Sequence, residues 1–212
     1  STLETLGIPY QVIDSTTPNI DNVLLKASSD SIKRSGPVAI VVRKKTFSSY
    51  SLATKVAQNY ELSREEAIQN ILMSLPDDAA IVSTTGMASR ELFELRKQSN
   101  QGHQRDFLTV GGMGHAGQIA AGIALTRPDQ TVVCIDGDGA LLMHTGGLAV
   151  SADCSNLKHI VLNNEAHDSV GGQPTKGNIL RFDHIAKCMG YRHTGLATSE
   201  RELSEQLVKM IE

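Results

Sequence analysis

Several residues in this chain could do chemistry by type and spacing. Asp138, within Asp136-Gly137-Asp138-Gly139-Ala140, carries a hard carboxylate, and Asn164, within Asn163-Asn164-Glu165-Ala166-His167-Asp168, a hard amide oxygen. Two such oxygens, a further protein carbonyl, diphosphate oxygens and a water complete an octahedron around Mg²⁺. Gly139 and Ala140 open a helix, so their N–H groups face outward as an anion cradle. Ser83-Thr84-Thr85-Gly86 leads into another helix start and offers hydroxyls and N–H groups to a phosphate, although a plain helix cap uses the same residues. Gly112, Gly114 and Gly117 match G-x-G-x-x-G, and Asp136 supplies the acid some twenty positions on. That is the dinucleotide pattern, so a nicotinamide-binding dehydrogenase competes with the metal–diphosphate reading. The alternative is that these glycines only let a helix pack close to a sheet. Each loop alone is an ordinary turn, since Asp-Gly and Asn-Asn are common turn residues.

What unites the loops is the set of elements that must position them. From Ser63 onward, short apolar strands alternate with amphipathic helices. Strands are expected at 80–83, 107–110, 131–135 and 159–162, with a further one at 191–194. Helices are expected at 88–97, 115–126, 141–154, 182–189 and 199–210, after a first helix that Ser63-x-x-Glu66 caps and Pro76 ends. Strand–helix alternation implies parallel pairing with right-handed crossovers, hence an α/β fold: a three-layer, doubly wound, mainly parallel sheet with helices on both faces. In such sheets ligands bind beyond the C-terminal strand ends, where all four loops fall. Residues 1–46 read as a separate, incomplete unit: a strand at 10–13, a helix at 20–34 and a fully buried strand at 38–42. Residues 47–62 read as a linker and 63–212 as the main domain.

Composition narrows the function. The chain has 212 residues and a net charge of −3, with 20% charged residues, which makes it a poor binder of nucleic acid. No apolar stretch reaches about 18 residues, so no membrane partner is expected. No basic start followed by an apolar run marks a signal peptide. Cys134, Cys154 and Cys188 have no C-x-x-C spacing and fit reduced cytoplasmic thiols.

Gly137-Asp138-Gly139 with Asn163-Asn164 resembles the metal-and-diphosphate motif of thiamine diphosphate enzymes, over residues 63–212. Within them, 110–116, 135–143 and 163–175 resemble the phosphonopyruvate decarboxylases, with sulfopyruvate decarboxylases as close relatives. The resemblance implies thiamine diphosphate and Mg²⁺ as cofactors. The metal falls to Asp138, the side chain of Asn164 and the carbonyl of Ala166. Cofactor contacts fall to Thr85, Gly86, Gly111, Gly112, Met113, Gly137, Gly139 and Ala140 as well. Met113 matches the residue that wedges the cofactor into its bent form, and Gly111 the carbonyl facing the 4′-amino group. The implied reaction is decarboxylation of 3-phosphonopyruvate, a small 2-oxo acid, to phosphonoacetaldehyde and CO₂. His115 and His167 are the catalytic candidates, and Lys176 and Arg181 further anchors for the acidic substrate tail. Asp168 reads as a turn cap and Ser169–Gly172 as a loop or lid. Met143 and the remaining histidines read as structural.

Residues 1–46 resemble the end of the family's pyrimidine-binding domain. The glutamate that activates the aminopyrimidine is expected in that domain, and a last strand after 199–210, so the chain reads as cut at both ends. A homo-oligomer or a partner chain would supply the rest. A noncatalytic partial subunit is the other alternative.

Overall fold

The computed structural model describes residues 1–50 and 60–211. The chain divides into two compact units, Ser1–Ala53 and Thr54–Glu212. Most of the expected linker, 51–59, lies outside the described residues.

The first unit contains a one-turn helix α1 (Thr2–Thr5), strand β1 (Tyr10–Ile13), helix α2 (Ile20–Arg34) and strand β2 (Ala39–Val42). β1 and β2 pair in parallel, Tyr10 against Ala39. Asn19 caps α2 through its side chain, and Ser35 ends it in the left-handed region. β2 was expected to be fully buried. Instead Val41 and Val42 are exposed, as are Leu25 and Ile32 of α2. A single helix over two strands covers one sheet face at most, so the other stays open.

The second unit carries the main sheet. Helix α3 (Arg64–Ser74) begins at the Ser63/Glu66 capping box and stops before Pro76. There follow β3 (Ala80–Ser83), α4 (Met87–Gln98), β4 (Asp106–Leu108), α5 (Ala116–Thr126), β5 (Val132–Gly137) and α6 (Asp138–Met143). A 3₁₀ turn at Thr145–Gly147 leads to α7 (Leu148–Ser151) and β6 (Leu157–Leu162). A two-residue hairpin, β7 (Ala166–His167) and β8 (Gln173–Pro174), precedes α8 (Phe182–Cys188) and α9 (Glu200–Ile211). The four-stranded sheet runs β4-β3-β5-β6, all parallel.

Side chains alternate across the strands, so each face builds its own core. Ile81, Val133 and Ile135 pack with Ile68 and Ile71 of α3, Leu92 and Leu95 of α4 and Leu207 of α9. Val82, Val132 and Cys134 pack on the other face with Ala116, Ala120, Ala121 and Ala124 of α5. The alanines let α5 lie close to the sheet. Full burial of an Ile or Leu contributes roughly 1.5–3 kcal/mol.

Two expected elements differ. Residues 141–154 were read as one helix, but the chain breaks at His144 into α6, the 3₁₀ turn and α7. Gly146 and Gly147 fall at that break, where a continuous helix is least favoured. Residues 191–194 form no strand; the Tyr191 hydroxyl is instead bonded to His159 Nδ1 at 3.0 Å.

Candidate functional site

The chain leaves β3 for β4 on one side and returns past β3 to β5 on the other. The strand order therefore reverses between β3 and β5, and the crevice at their C-terminal ends is where such folds bind ligands. Thr84 N–H bonds to Ile135 O at 2.8 Å across this point. The loops 84–86 and 137–140 flank it.

Gly137 ends β5 and Asp138 starts α6. Asp138 is 2% exposed. Burial pushes its carboxyl above the usual carboxylate range, while the Thr175 hydroxyl, the Gly139 N–H and nearby His167 pull it back. Thr175 Oγ1 donates to Asp138 Oδ2 and accepts from Gly177 N–H at 3.0 Å. Gly177 has no room for a side chain: a Cβ there would lie 2.2 Å from Asn163 Oδ1 and 2.6 Å from Asp138 Oδ2. The missing Cβ thus lets two oxygens converge on one backbone position. Asn163 Nδ2 donates to Gly177 O at 2.9 Å. Hard oxygens around a desolvated carboxylate are the donor set a divalent cation such as Mg²⁺ takes, and a cation would offset the burial that penalises Asp138.

The loop after β6 is held from outside. Asn164 Nδ2 donates to Asp168 Oδ2 at 2.6 Å, and Asn164 Oδ1 accepts from Ala166 N–H at 3.3 Å. Arg64 Nη1 reaches the same Asp168 oxygen at 3.0 Å. Glu165 takes φ +59°, the left-handed region. The Tyr60 hydroxyl bonds to Glu165, and its pKa is pushed up to about 12, first by burial and then by that carboxylate. His167 lies over Gly139, where a Cβ would be 2.5 Å from its ring. Gly139, Met143, His167, Thr175 and Lys176 line a recess of about 310 Å³.

The glycine loop flanks α6 on another side. A Cβ on Gly114, which has φ +86°, would meet Ala140 O at 2.9 Å and Met143 Cβ at 2.9 Å. Gly117 sits against the His159 ring in the same way, at 3.1 Å. Asp136 is 1% exposed; it accepts from Gly137 N–H at 2.9 Å and lies 3.5 Å from His159 Nε2. Gly114 and Gly117 of the dinucleotide pattern therefore serve close packing, and its acid is sealed in the core rather than offered to a ribose. His115 lies at the start of α5, its Nδ1 3.1 Å from Gly112 O and its ring 4.2 Å from that of His144.

The family described as "Thiamine pyrophosphate enzyme, C-terminal TPP binding domain" matches residues 84–212, more than half of the chain. The chain belongs to this family. A phosphonopyruvate decarboxylase of Streptomyces viridochromogenes is 43% identical over 147 residues, which cover 68% of this chain and 36% of that protein. A sulfopyruvate decarboxylase subunit beta of Methanothermobacter thermautotrophicus is 36% identical over 61% of this chain and 68% of its own length. The chain spans about a third of the length of the Streptomyces relatives it matches. Benzoylformate decarboxylase of Polynucleobacter necessarius shares the fold with a TM-score of 0.60 at 15% identity, over 96% of this chain and 42% of that one. The 4-hydroxybenzoylformate decarboxylase of Rhodococcus jostii does so at 0.55 and 19%, over 85% and 40%.

Within this thiamine pyrophosphate-binding domain, Thr85, Gly86, Gly137, Asp138, Gly139 and Ala140 lie at the switch point. Gly86 takes φ +103°, and a Cβ there would press on Ser169 at 3.2 Å, so Ser169 packs directly on the 84–86 turn. Gly111 and Gly112 are exposed and Met113 half-buried. Ala166 lies in β7 opposite Pro174. Arg181 is engaged by Asp183 at 2.7 Å, whereas Lys176 is exposed at the recess. Met143, read as core, is 55% exposed, because α6 ends there and the chain turns away. Sequence reading missed Asn163, Thr175 and Gly177 as companions of Asp138, and Arg64 behind Asp168. Thr175 carried a signal, a hydroxyl just past the glycine-rich hairpin; Arg64 carried none. Among the described residues no helix is long and apolar enough to cross a membrane.

Proposed function

We propose that this chain supplies the diphosphate- and magnesium-binding half of a decarboxylase that converts 3-phosphonopyruvate to phosphonoacetaldehyde and CO₂, a carbon–carbon lyase of the cytoplasm. The observation that carries the reading is Asp138, a carboxylate buried at the β3/β5 switch point among oxygen donors. Asp138, the Asn164 amide oxygen and the Ala166 carbonyl would hold Mg²⁺, with Thr175 orienting the Asp138 carboxylate. The N–H groups of Gly139 and Ala140, with Thr85 and Gly86 across the crevice, would receive the diphosphate. Gly111, Gly112 and Met113 would line the ring end. Thiamine diphosphate, when bound, supplies the electron sink that lets CO₂ leave.

The chain's own groups bind and orient the substrate. His167 and Lys176 share the recess beside Asp138 and would anchor its phosphonate. With His115 Nδ1 donating to Gly112 O, its Nε2 would be the atom offered to the substrate. Residues 63–212 would form the diphosphate domain and residues 1–46 part of a pyrimidine-binding domain, whose activating glutamate would complete the site.

Sulfopyruvate is the second reading, favoured by the likeness to proteins named sulfopyruvate decarboxylase subunit beta. The test is CO₂ release from each acid by this chain completed with a pyrimidine-binding half. A kcat/KM at least about tenfold higher for phosphonopyruvate is expected, a discrimination of about 1.4 kcal/mol. The reverse preference selects the second reading, and release from neither acid with thiamine diphosphate bound contradicts both.

A further inference from the structure

Arg64 is the first residue of α3, where the helix dipole disfavours a cation. Its placement is explained by partners outside that helix. Nε and Nη2 make a two-pronged pair with the Glu91 carboxylate of α4, both at 2.8 Å. Nη1 reaches Asp168 Oδ2 at 3.0 Å. The Arg64 and Glu91 side chains are only 20% and 17% exposed. One guanidinium therefore binds two carboxylates from two different elements, a task for its five-donor fork that an ammonium does not reproduce.

The second carboxylate matters because of what it holds. Asp168 Oδ2 also receives Asn164 Nδ2 at 2.6 Å. An ionised carboxylate only accepts, so it selects the nitrogen edge of the carboxamide and turns the oxygen edge away. Arg64 holds Asp168 in place through its Nη1 contact. We propose that Arg64 is a positioning residue for the cation site: anchored on Glu91, it fixes Asp168, and Asp168 sets the Asn164 carboxamide so that its oxygen is the atom presented to a divalent cation. This rests on the cation site proposed above. It adds a control point on a different helix, far from Asn164 in sequence, and a chain of contacts Glu91–Arg64–Asp168–Asn164. Outer partners of this kind orient ligands and tune metal affinity.

The experiment is calorimetric titration of the chain with MgCl₂ at fixed thiamine diphosphate, and with thiamine diphosphate at saturating Mg²⁺. Wild type is compared with Arg64→Ala, Arg64→Lys, Asp168→Ala and the double variant Arg64→Ala/Asp168→Ala. Asp168 is an exposed loop residue, so its truncation keeps the fold even where loss of Arg64 loosens α3 from α4. The half-saturating Mg²⁺ concentration should rise about 10–100-fold in Asp168→Ala and Arg64→Ala, and no further in the double variant. Arg64→Lys should fall between wild type and Arg64→Ala. Thiamine diphosphate affinity at saturating Mg²⁺ should stay within about twofold of wild type, a split that a general loss of structure does not produce. An unchanged Mg²⁺ requirement in Asp168→Ala, or cofactor binding weakened equally at every Mg²⁺ concentration, overturns the positioning role while leaving the cation site standing. Absence of Mg²⁺-dependent binding in wild type overturns the site itself, and the positioning role with it.

Discussion

Asp136 and Asp138 stand two residues apart at the end of one strand, both almost fully buried, at 1% and 2% exposure. Their surroundings differ. Asp136 faces the α5 side, where it accepts from Gly137 N–H at 2.9 Å and lies 3.5 Å from His159 Nε2. His159 is in turn bonded to Tyr191, whose hydroxyl burial pushes well above the ordinary range, so it stays a phenol. Asp138 faces the crevice with a hydroxyl and an N–H, and burial still holds its carboxyl above the usual range. A buried carboxylate matched with an imidazole is a fixture of the core. One that faces the crevice and takes its hydrogen bonds from a hydroxyl and backbone N–H groups is poised for a cation.

Four substitutions sharpen or break this contrast. Asp138→Ala should weaken Mg²⁺-dependent thiamine diphosphate binding by more than about a hundredfold in a calorimeter, beyond the range for outer partners. Asp136→Ala should act on stability instead, leaving the Gly137 N–H without its acceptor and costing about 1–3 kcal/mol by urea denaturation. Equal losses of cofactor binding in the two variants would erase the distinction.

Asp138→Asn should stabilise the ligand-free chain at neutral pH by roughly 0.5–2 kcal/mol. The sign follows from the raised carboxyl: the folded state holds its proton more tightly than the unfolded one, so wild type loses stability as pH rises from the ordinary carboxylate range through the raised value. The advantage of the amide variant is absent in acid and complete above that window. Paired melts at pH 4 and pH 7 measure it, and a variant advantage independent of pH would contradict the desolvated carboxylate. Tyr191→Phe, the smallest change, should cost about 1 kcal/mol for one buried hydrogen bond and leave cofactor binding unchanged.

The two aspartates also show what was legible in the sequence. The parallel α/β alternation could be read because apolar strand residues and the alanine face of α5 repeat at the periods of their elements. The Ser63/Glu66 cap and the helix 20–34 were readable for the same local reason. Asp138 could be picked out through Gly137-Asp138-Gly139. Asp136, by contrast, resembled a ribose ligand in sequence and is a core residue in the structure, because only the β5–β6 register, Cys134 against His159, places the imidazole on its face. That cluster of Cys134, Asp136 and His159, with ligand atoms within 4.8 Å of one another, has no spacing signature, since two of its members are on one strand and the third on the next. Gly114 and Gly117 misled in the same way: glycine spacing is shared by phosphate cradles and tight packing, and only the atoms opposite each Cβ position separate the two. Arg64 was invisible because its partners come from α4 and the loop after β6. The break at His144 and the outward turn of Met143 depend on the fit of α6 between the glycine loop and the hairpin, which no local pattern encodes.

The most direct test of the central claim is calorimetric titration of this chain with thiamine diphosphate, with and without Mg²⁺, beside NAD⁺ under the same conditions. Binding of thiamine diphosphate that requires Mg²⁺, with none of NAD⁺, is the predicted result. Binding of NAD⁺ indifferent to Mg²⁺, or of thiamine diphosphate equally tight without the metal, would contradict the account.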